Sequence, residues 1–181
     1  FEVDQTQNIA RISYLNGVFS LPVENADEYP QPQQIGDEAT IINIPTPVLN
    51  DNITRTLFAT AQDELRPVMN GIYFDLTADH LAIVASDGHK LVRNKLFNIH
   101  SDQPAAFILL KKPATLLKGV LGRQGGDVVI RFDERNAEVI YEEGILTCRL
   151  IEGRYPNYNS VIPQSNPNQL TVDRDQLLAA L

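Results

Sequence analysis

The spacing of apolar positions changes along the chain from strand-like to helix-like and back, and it does so twice. Ala39 to Ile44 is an apolar run of strand length. Thr46-Pro47 follows, which reads as an N-cap and a first helical residue. Val48, Leu49, Ile53, Leu57 and Phe58 then recur at helical spacing. Three strands are predicted next. In the first, Ile72, Phe74 and Leu76 alternate with Tyr73, Asp75 and Thr77; Leu81, Ile83 and Ala85 alternate in the second; Lys90 to Phe97 follows the Asp87-Gly88 turn. The order then repeats. Ala106 to Leu110 is a strand, and Lys111-Lys112-Pro113 opens a helix with Leu116, Leu117, Val120 and Leu121 on one side. Gly122 and Gly125-Gly126 end it. Val128, Ile130 and Phe132, then Ala137, Val139 and Tyr141, then Leu146, Cys148 and Leu150 mark three more strands. Both copies read β-α-β-β-β, and their prolines, Pro47 and Pro113, are 66 residues apart. This pattern predicts an α+β domain in which two helices cover one face of a sheet.

The flanks read differently. Ala10, Ile12 and Tyr14 alternate with polar residues, and Asn16-Gly17 turns the chain into Val18 to Leu21, a hairpin. Residues 24–38 are rich in Pro, Gln, Asp and Glu and read as a linker. At the far end, Gln169 to Val172 is strand-like and Asp173 is placed to cap a helix over Arg174 to Leu181. A third copy of the pattern is expected to begin there. With no initiator methionine and a final apolar, helix-like run, the chain is expected to be a fragment of a longer protein.

Charge sharpens this picture. The formal net charge is -8, but residues 1–40 hold seven acids and one base, Arg11, and so carry -6 of it. The body is nearly neutral. Within it, residues 103–126 contain Lys111, Lys112, Lys118 and Arg123 and no acid. Such a segment is either a solvated helix face or a local phosphate-facing surface. Other chemistry is sparse. A single cysteine excludes a disulfide framework and a cysteine-rich zinc module. His80, His89 and His100 are scattered without metal-ligand spacing, so no metal or other cofactor is expected. Cys148 sits at an inward strand position and reads as a small core hydrophobe. Asn52-Ile53-Thr54 matches a glycosylation sequon by chance. No glycine pattern forms a phosphate loop or a nucleophile elbow. No apolar run is long enough for a membrane helix. These absences favour binding or scaffolding over catalysis.

Four segments carry a resemblance. They are Thr60-Ala61-Gln62-Asp63-Glu64-Leu65-Arg66-Pro67 running into Val68-Met69-Asn70-Gly71; Val84-Ala85-Ser86-Asp87-Gly88-His89-Lys90-Leu91; Leu150-Ile151-Glu152-Gly153-Arg154-Tyr155-Pro156-Asn157-Tyr158; and Val161-Ile162-Pro163. In this order they resemble the bacterial sliding clamp family, the beta subunit of DNA polymerase III. Leu21-Pro22 with Glu28-Tyr29-Pro30 is similar to the end of a first clamp domain.

The resemblance implies a clamp fold, with two βαβββ halves per domain, antiparallel sheets outside and two helices on the inner face. It implies a domain layout of a first-domain remnant over 1–30, a linker over 31–38, a complete second domain over 39–165 and the start of a third over 166–181. It implies a cytoplasmic, non-enzymatic processivity factor that encircles duplex DNA without reading its sequence. The full-length protein would close as a homodimeric ring and hold polymerase subunits, the clamp loader and other proteins bearing a clamp-binding peptide. That peptide, through apolar anchors, would enter a groove lined by Arg66, Met69, Ser86, Gly88, His89, Lys90, Leu91, Pro156 and Val161. The DNA-facing set would be Lys111, Lys112, Lys118, Arg123 and Arg154. Ser86 and Lys90 replace the usual Thr and Arg, and Ser160 stands where some members place an Arg, which leaves peptide preference and affinity open; Asn157 for the usual Asp is a further departure with no assigned effect. The isolated fragment is expected to bind such peptides weakly or not at all and to close no ring. Two other readings stand beside this one: a peptide-binding β module with no DNA role, and an enzyme whose site is completed by sequence outside the fragment.

Overall fold

A computed structural model describes residues 1–29, 31, 35–36 and 38–181. The chain divides into two units, 1–34 and 35–181. In the first, β1 (Glu2–Asp4), β2 (Ile9–Tyr14) and β3 (Gly17–Pro22) form an antiparallel three-stranded sheet in the order β1-β2-β3. Tyr14 pairs with Gly17, so the turn residues are Leu15 and Asn16 and the glycine opens β3. That shifts the expected Asn16-Gly17 turn by one residue. Of the predicted linker, Pro30, Pro32, Gln33, Gln34 and Asp37 lie outside the described residues. Ile35, within that stretch, is buried in the second unit.

The second unit contains both repeats. Its first half is β4 (Thr40–Pro45), α1 (Thr46–Leu57), β5 (Gly71–Leu76), β6 (Leu81–Ser86) and β7 (Leu91–Leu96). Its second half is β8 (Ala105–Leu110), α2 (Lys111–Leu121), β9 (Asp127–Phe132), β10 (Asn136–Tyr141) and β11 (Gly144–Arg149). Where the pattern alone gave one sheet, the strands form two four-stranded antiparallel sheets, as the resemblance implied, ordered β11-β10-β9-β4 and β7-β6-β5-β8. The two halves exchange their first strands. β4 pairs along β9, from Thr40 opposite Phe132 to Pro45 opposite Asp127, and β8 pairs along β5, from Gly71 opposite Leu110 to Leu76 opposite Ala105. A bridge between Leu109 and Leu150, and a bond from the Ile151 N–H to the Ile108 carbonyl (3.0 Å), join the second sheet to the segment leaving β11.

One continuous core lies between the helices and the sheets. Ile72, Phe74 and Leu76 of β5, Ile83 of β6, Leu109 of β8 and Val128 and Ile130 of β9 meet Leu49 and Ile53 of α1 and Ala114, Leu117 and Leu121 of α2. The alternation read from sequence thus selects the inward faces correctly. Three aromatic rings cross the core: Phe74 stacks on Phe107 with centroids 4.5 Å apart, and Phe107 meets Phe132 of the other sheet at 4.4 Å.

Helical details depart from expectation in four places. Thr46 is the first helical residue and caps nothing. Instead its hydroxyl donates to the Gly125 carbonyl and its N–H to the Gly126 carbonyl, both at 3.0 Å, which ties α1 to the loop after α2. Asn52, a polar residue in α1 that the sequence presents as part of a chance sequon, is buried, and its side chain donates to the Val48 carbonyl at 2.8 Å. A buried, engaged amide is no glycan acceptor. Leu116 and Phe58 were assigned to apolar faces but are more than half exposed. Among the described residues, Gln169 to Val172 pairs with no strand, whereas the Asp173 carboxylate accepts from the Gln176 N–H (2.9 Å) and caps α3 (Arg174–Ala180) as expected. No helix is long and apolar enough to cross a membrane among the described residues.

Candidate functional site

The outer face of the β7-β6-β5-β8 sheet is the one turned away from the helices. Residues alternate along a strand, so Tyr73, Ala82, Val84 and Ile108 project there when their neighbours project into the core. In an isolated sheet this face would be wet. Here Tyr155 and Tyr158, delivered by the chain after β11, pack on it as a second apolar cluster. Tyr155 lies flat on Tyr73, with centroids 4.6 Å apart and planes 1° from parallel, and Tyr158 meets the same ring edge-on. The Tyr158 hydroxyl donates to Asp75 Oδ2 at 2.7 Å, and Arg93 Nη1 of β7 donates to Asn159 Oδ1 at 2.9 Å. These bonds hold the returning segment against the sheet.

Between this segment and the β6–β7 turn runs a groove of about 310 Å³. Met69, Ser86, Gly88, His89, Lys90, Leu91, Pro156 and Val161 all line it. Eight of the nine residues proposed from the resemblance therefore meet in one concavity. Arg66 sits at the turn beside it: a Cβ built on Gly88 would stand 3.2 Å from Arg66 Nη1. Its Nε donates to Asp63 Oδ2 at 2.9 Å, which holds the Asp63 carboxyl below its usual range. Met69 and Ser86 are buried under the groove, while Gly88, His89, Lys90, Pro156 and Val161 are exposed at its rim. Tyr155, Asn157 and Tyr158 line it as well; the sequence motif contains all three but did not place them in the groove. The signal available for them was the Tyr-Pro-x-Tyr spacing around Pro156.

The β6–β7 turn is built to be rigid. The Asp87 carboxylate accepts from the N–H groups of His89 and Lys90, both at 2.9 Å, and pairs with the Lys90 ammonium. The Lys90 side chain, then the two N–H groups, hold the Asp87 carboxyl far below the usual carboxylate range. Ser86 Oγ donates to the Lys90 carbonyl (2.9 Å) and accepts from the Gly88 N–H (3.1 Å). Gly88 has φ +92°, a conformation that a side chain strains.

Burial shapes the titration of the outer cluster. It pushes the Tyr155 phenol up to about 12, and together with the Asp75 carboxylate it raises Tyr158 further. A phenol whose folded pKa exceeds its unfolded value leaves stability unchanged below about pH 10 and lowers it as pH rises from there towards 12. We expect absorbance titration at 295 nm to show late tyrosine ionisation coinciding with alkaline unfolding. Tyr158→Phe removes both the bond to Asp75 and one ionisable phenol, so it lowers stability near neutral pH and makes stability fall less steeply as pH rises above about 10.

The helices form the opposite surface. α2 exposes Lys112 and Lys118, Lys111 is half-buried at its start, and Arg123 is exposed just past its end. None of these four makes an ion pair among the described residues. α1 is neutral, because its cation Arg55 pairs with Asp51 at 2.9 Å. Arg154 does not join this set. It was grouped with the DNA-facing residues, but the chain after β11 folds over the outer face, and Arg154 lies there beside Tyr73. Cys148 packs against the core, and burial raises its thiol to about 11, which leaves no thiolate near neutral pH. Among the described residues no group of His, Cys, Asp and Glu side chains is placed to hold a metal ion.

Comparisons with known proteins agree with this architecture. Residues 43–157 match the family described as DNA polymerase III beta subunit, central domain. The beta sliding clamp of Bacillus subtilis is 30% identical over 98% of this chain and 47% of its own length. A crystal structure of the DNA polymerase III subunit beta from Pseudomonas aeruginosa superposes with a TM-score of 0.88 at 27% identity, over 99% of this chain and 49% of that one. Another structure from that organism, a sliding clamp bound to griselimycin, gives a TM-score of 0.86 at 27% identity, over 96% of this chain and 47% of that one. The chain spans about half the length of the curated relatives it matches. With its two exchanged βαβββ halves and a family match across most of them, the chain belongs to the DNA polymerase III beta subunit family, the beta sliding clamps.

Proposed function

We propose that this chain is a segment of a sliding clamp that encircles duplex DNA, keeps a replicative polymerase on its template and docks partner peptides in the groove between the Ser86–Lys90 turn and the Tyr155–Val161 segment. The observation that carries this reading is the separation of two surfaces on one body. Unpaired cations project from α2, and the apolar groove opens on the far face of a sheet. A ring that slides needs diffuse phosphate attraction on one side, without base contacts. It needs a partner site that DNA does not cover on the other. In this reading Lys111, Lys112, Lys118 and Arg123 face the phosphates. Met69 adapts to varied apolar anchors, and Arg66, His89 and Lys90 supply donors at the rim. The role is non-enzymatic and cytoplasmic, and ring closure is by two copies of the longer protein. The layout of a first-domain remnant, a complete second domain and the start of a third belongs to the same proposal.

The test uses a full-length, three-domain protein carrying this segment. Replacing Lys111, Lys112 and Lys118 together by Ala is expected to lower loading on circular DNA and processivity by about tenfold at moderate salt, and to flatten the salt dependence. Peptide affinity, read by fluorescence anisotropy, stays unchanged. Undiminished loading and processivity would leave only a peptide-binding module.

A further inference from the structure

The groove has a neighbour on the same outer face. A second concavity of about 450 Å³ adjoins it, and Tyr155 lines both. Its lining mixes apolar and charged residues, with the buried Ile108 and Leu150 among the apolar ones. Arg154 stands in its wall, exposed and without an ion pair or hydrogen bond among the described residues. Arg135 faces Glu152 across the rim at 3.9 Å, a loose and exposed pair, and Glu134 lies beside them.

We propose that this concavity extends the partner groove and receives a single carboxylate side chain, Asp or Glu, that flanks the apolar anchors of the bound peptide. This rests on the groove reading above. The guanidinium of Arg154 offers a planar fork of donors that suits a carboxylate. Glu134 and Glu152 at the rim oppose a phosphate or a run of acids, so one carboxylate is the charge that fits. The two sites are also contiguous in the chain. Arg154 precedes Tyr155, and an extended peptide advances about 3.3 Å per residue, so a segment leaving the groove past Tyr155 reaches Arg154 within a few residues.

The experiment titrates the ¹⁵N-labelled chain with two amidated peptides that share a Leu-Phe anchor pair. One has Asp at both flanks and the other has Asn. The Asn peptide is expected to move the Gly88 and His89 amides with millimolar affinity. The Asp peptide is expected to bind about three- to five-fold tighter and to move Gly153 and Arg154 as well. Arg154→Gln, whose unchanged amide spectrum reports an intact fold, brings the Asp peptide back to the affinity of the Asn peptide. Equal affinity of the two peptides for the unmodified chain, or a gain that survives Arg154→Gln, overturns this inference and leaves the groove reading standing. If neither peptide moves Gly88 or His89 either in this chain or in a full-length, three-domain protein carrying this segment, the groove reading falls and takes this inference with it.

Discussion

Gly71→Ala will destabilise the second unit by about 3 kcal/mol or more, near the top of the range for adding one methyl to a packed core. Gly71 opens β5 opposite Leu110 of the exchanged strand β8 and is fully surrounded. A Cβ built there stands 2.5 Å from the Leu109 carbonyl oxygen, 2.8 Å from Ile108 Cγ2 and 3.0 Å from Ile151 Cδ1. The nearest of these is backbone and cannot swing aside without breaking the β5–β8 ladder. The same substitution at Gly119, in the exposed interior of α2, meets nothing within 4 Å and is expected to stabilise by about 0.5–1 kcal/mol through helix propensity. Urea unfolding of both variants gives the comparison. A Gly71→Ala midpoint equal to that of the unmodified chain would mean that β8 does not close on β5 as described.

Phe107→Ala should cost about 3–5 kcal/mol, as expected for removing a buried ring. The magnitude follows from position as well as size. Phe107 comes from β8 of one sheet, stacks on Phe74 of its own sheet and touches Phe132 of the other. Its loss leaves a cavity where the two sheets meet, with rigid rings on two sides that relax poorly. Phe107→Leu keeps most of the volume and is expected to cost about half as much. Calorimetry and the near-ultraviolet circular dichroism of the phenylalanines would follow both. A Phe107→Ala loss below about 1 kcal/mol would be incompatible with the ring bridging the sheets.

Much of this fold could be read along the chain. Strand alternation identified the inward residues of β5, β9, β10 and β11, because a residue's face depends only on parity. The prolines at 47 and 113 marked the start of both helices. Partner choice was not legible. Nothing in Ala39 to Ile44 says that it pairs with β9 instead of β5, since an apolar strand packs equally well against either and the choice is made by the whole. Leu116 repeats the helical period yet faces solvent, because α2 is buried along a narrower stripe than its apolar residues would allow. At the site, the motifs of a known family named eight residues that share one groove. They missed Tyr155 and Tyr158, whose place depends on the chain returning over the sheet. The same return carries Arg154 to the outer face, and no local pattern foretells which side of a sheet a departing strand will cross.

The strand exchange also governs how this unit emerges from a ribosome. β4 ends at Pro45, but its partner β9 begins at Asp127. At roughly 5–20 residues per second, the first strand waits on the order of 4–16 s for the strand that will cover its edge. β5 likewise gains β8 only after the whole first half has been made. Until then, the first half is an incomplete sheet with an unpaired edge on each side, a template for pairing with another chain. Contacts this distant in sequence slow folding. The first half is therefore where a holdase would bind, and a pause in translation between Phe97 and Ala105 would lengthen that exposure.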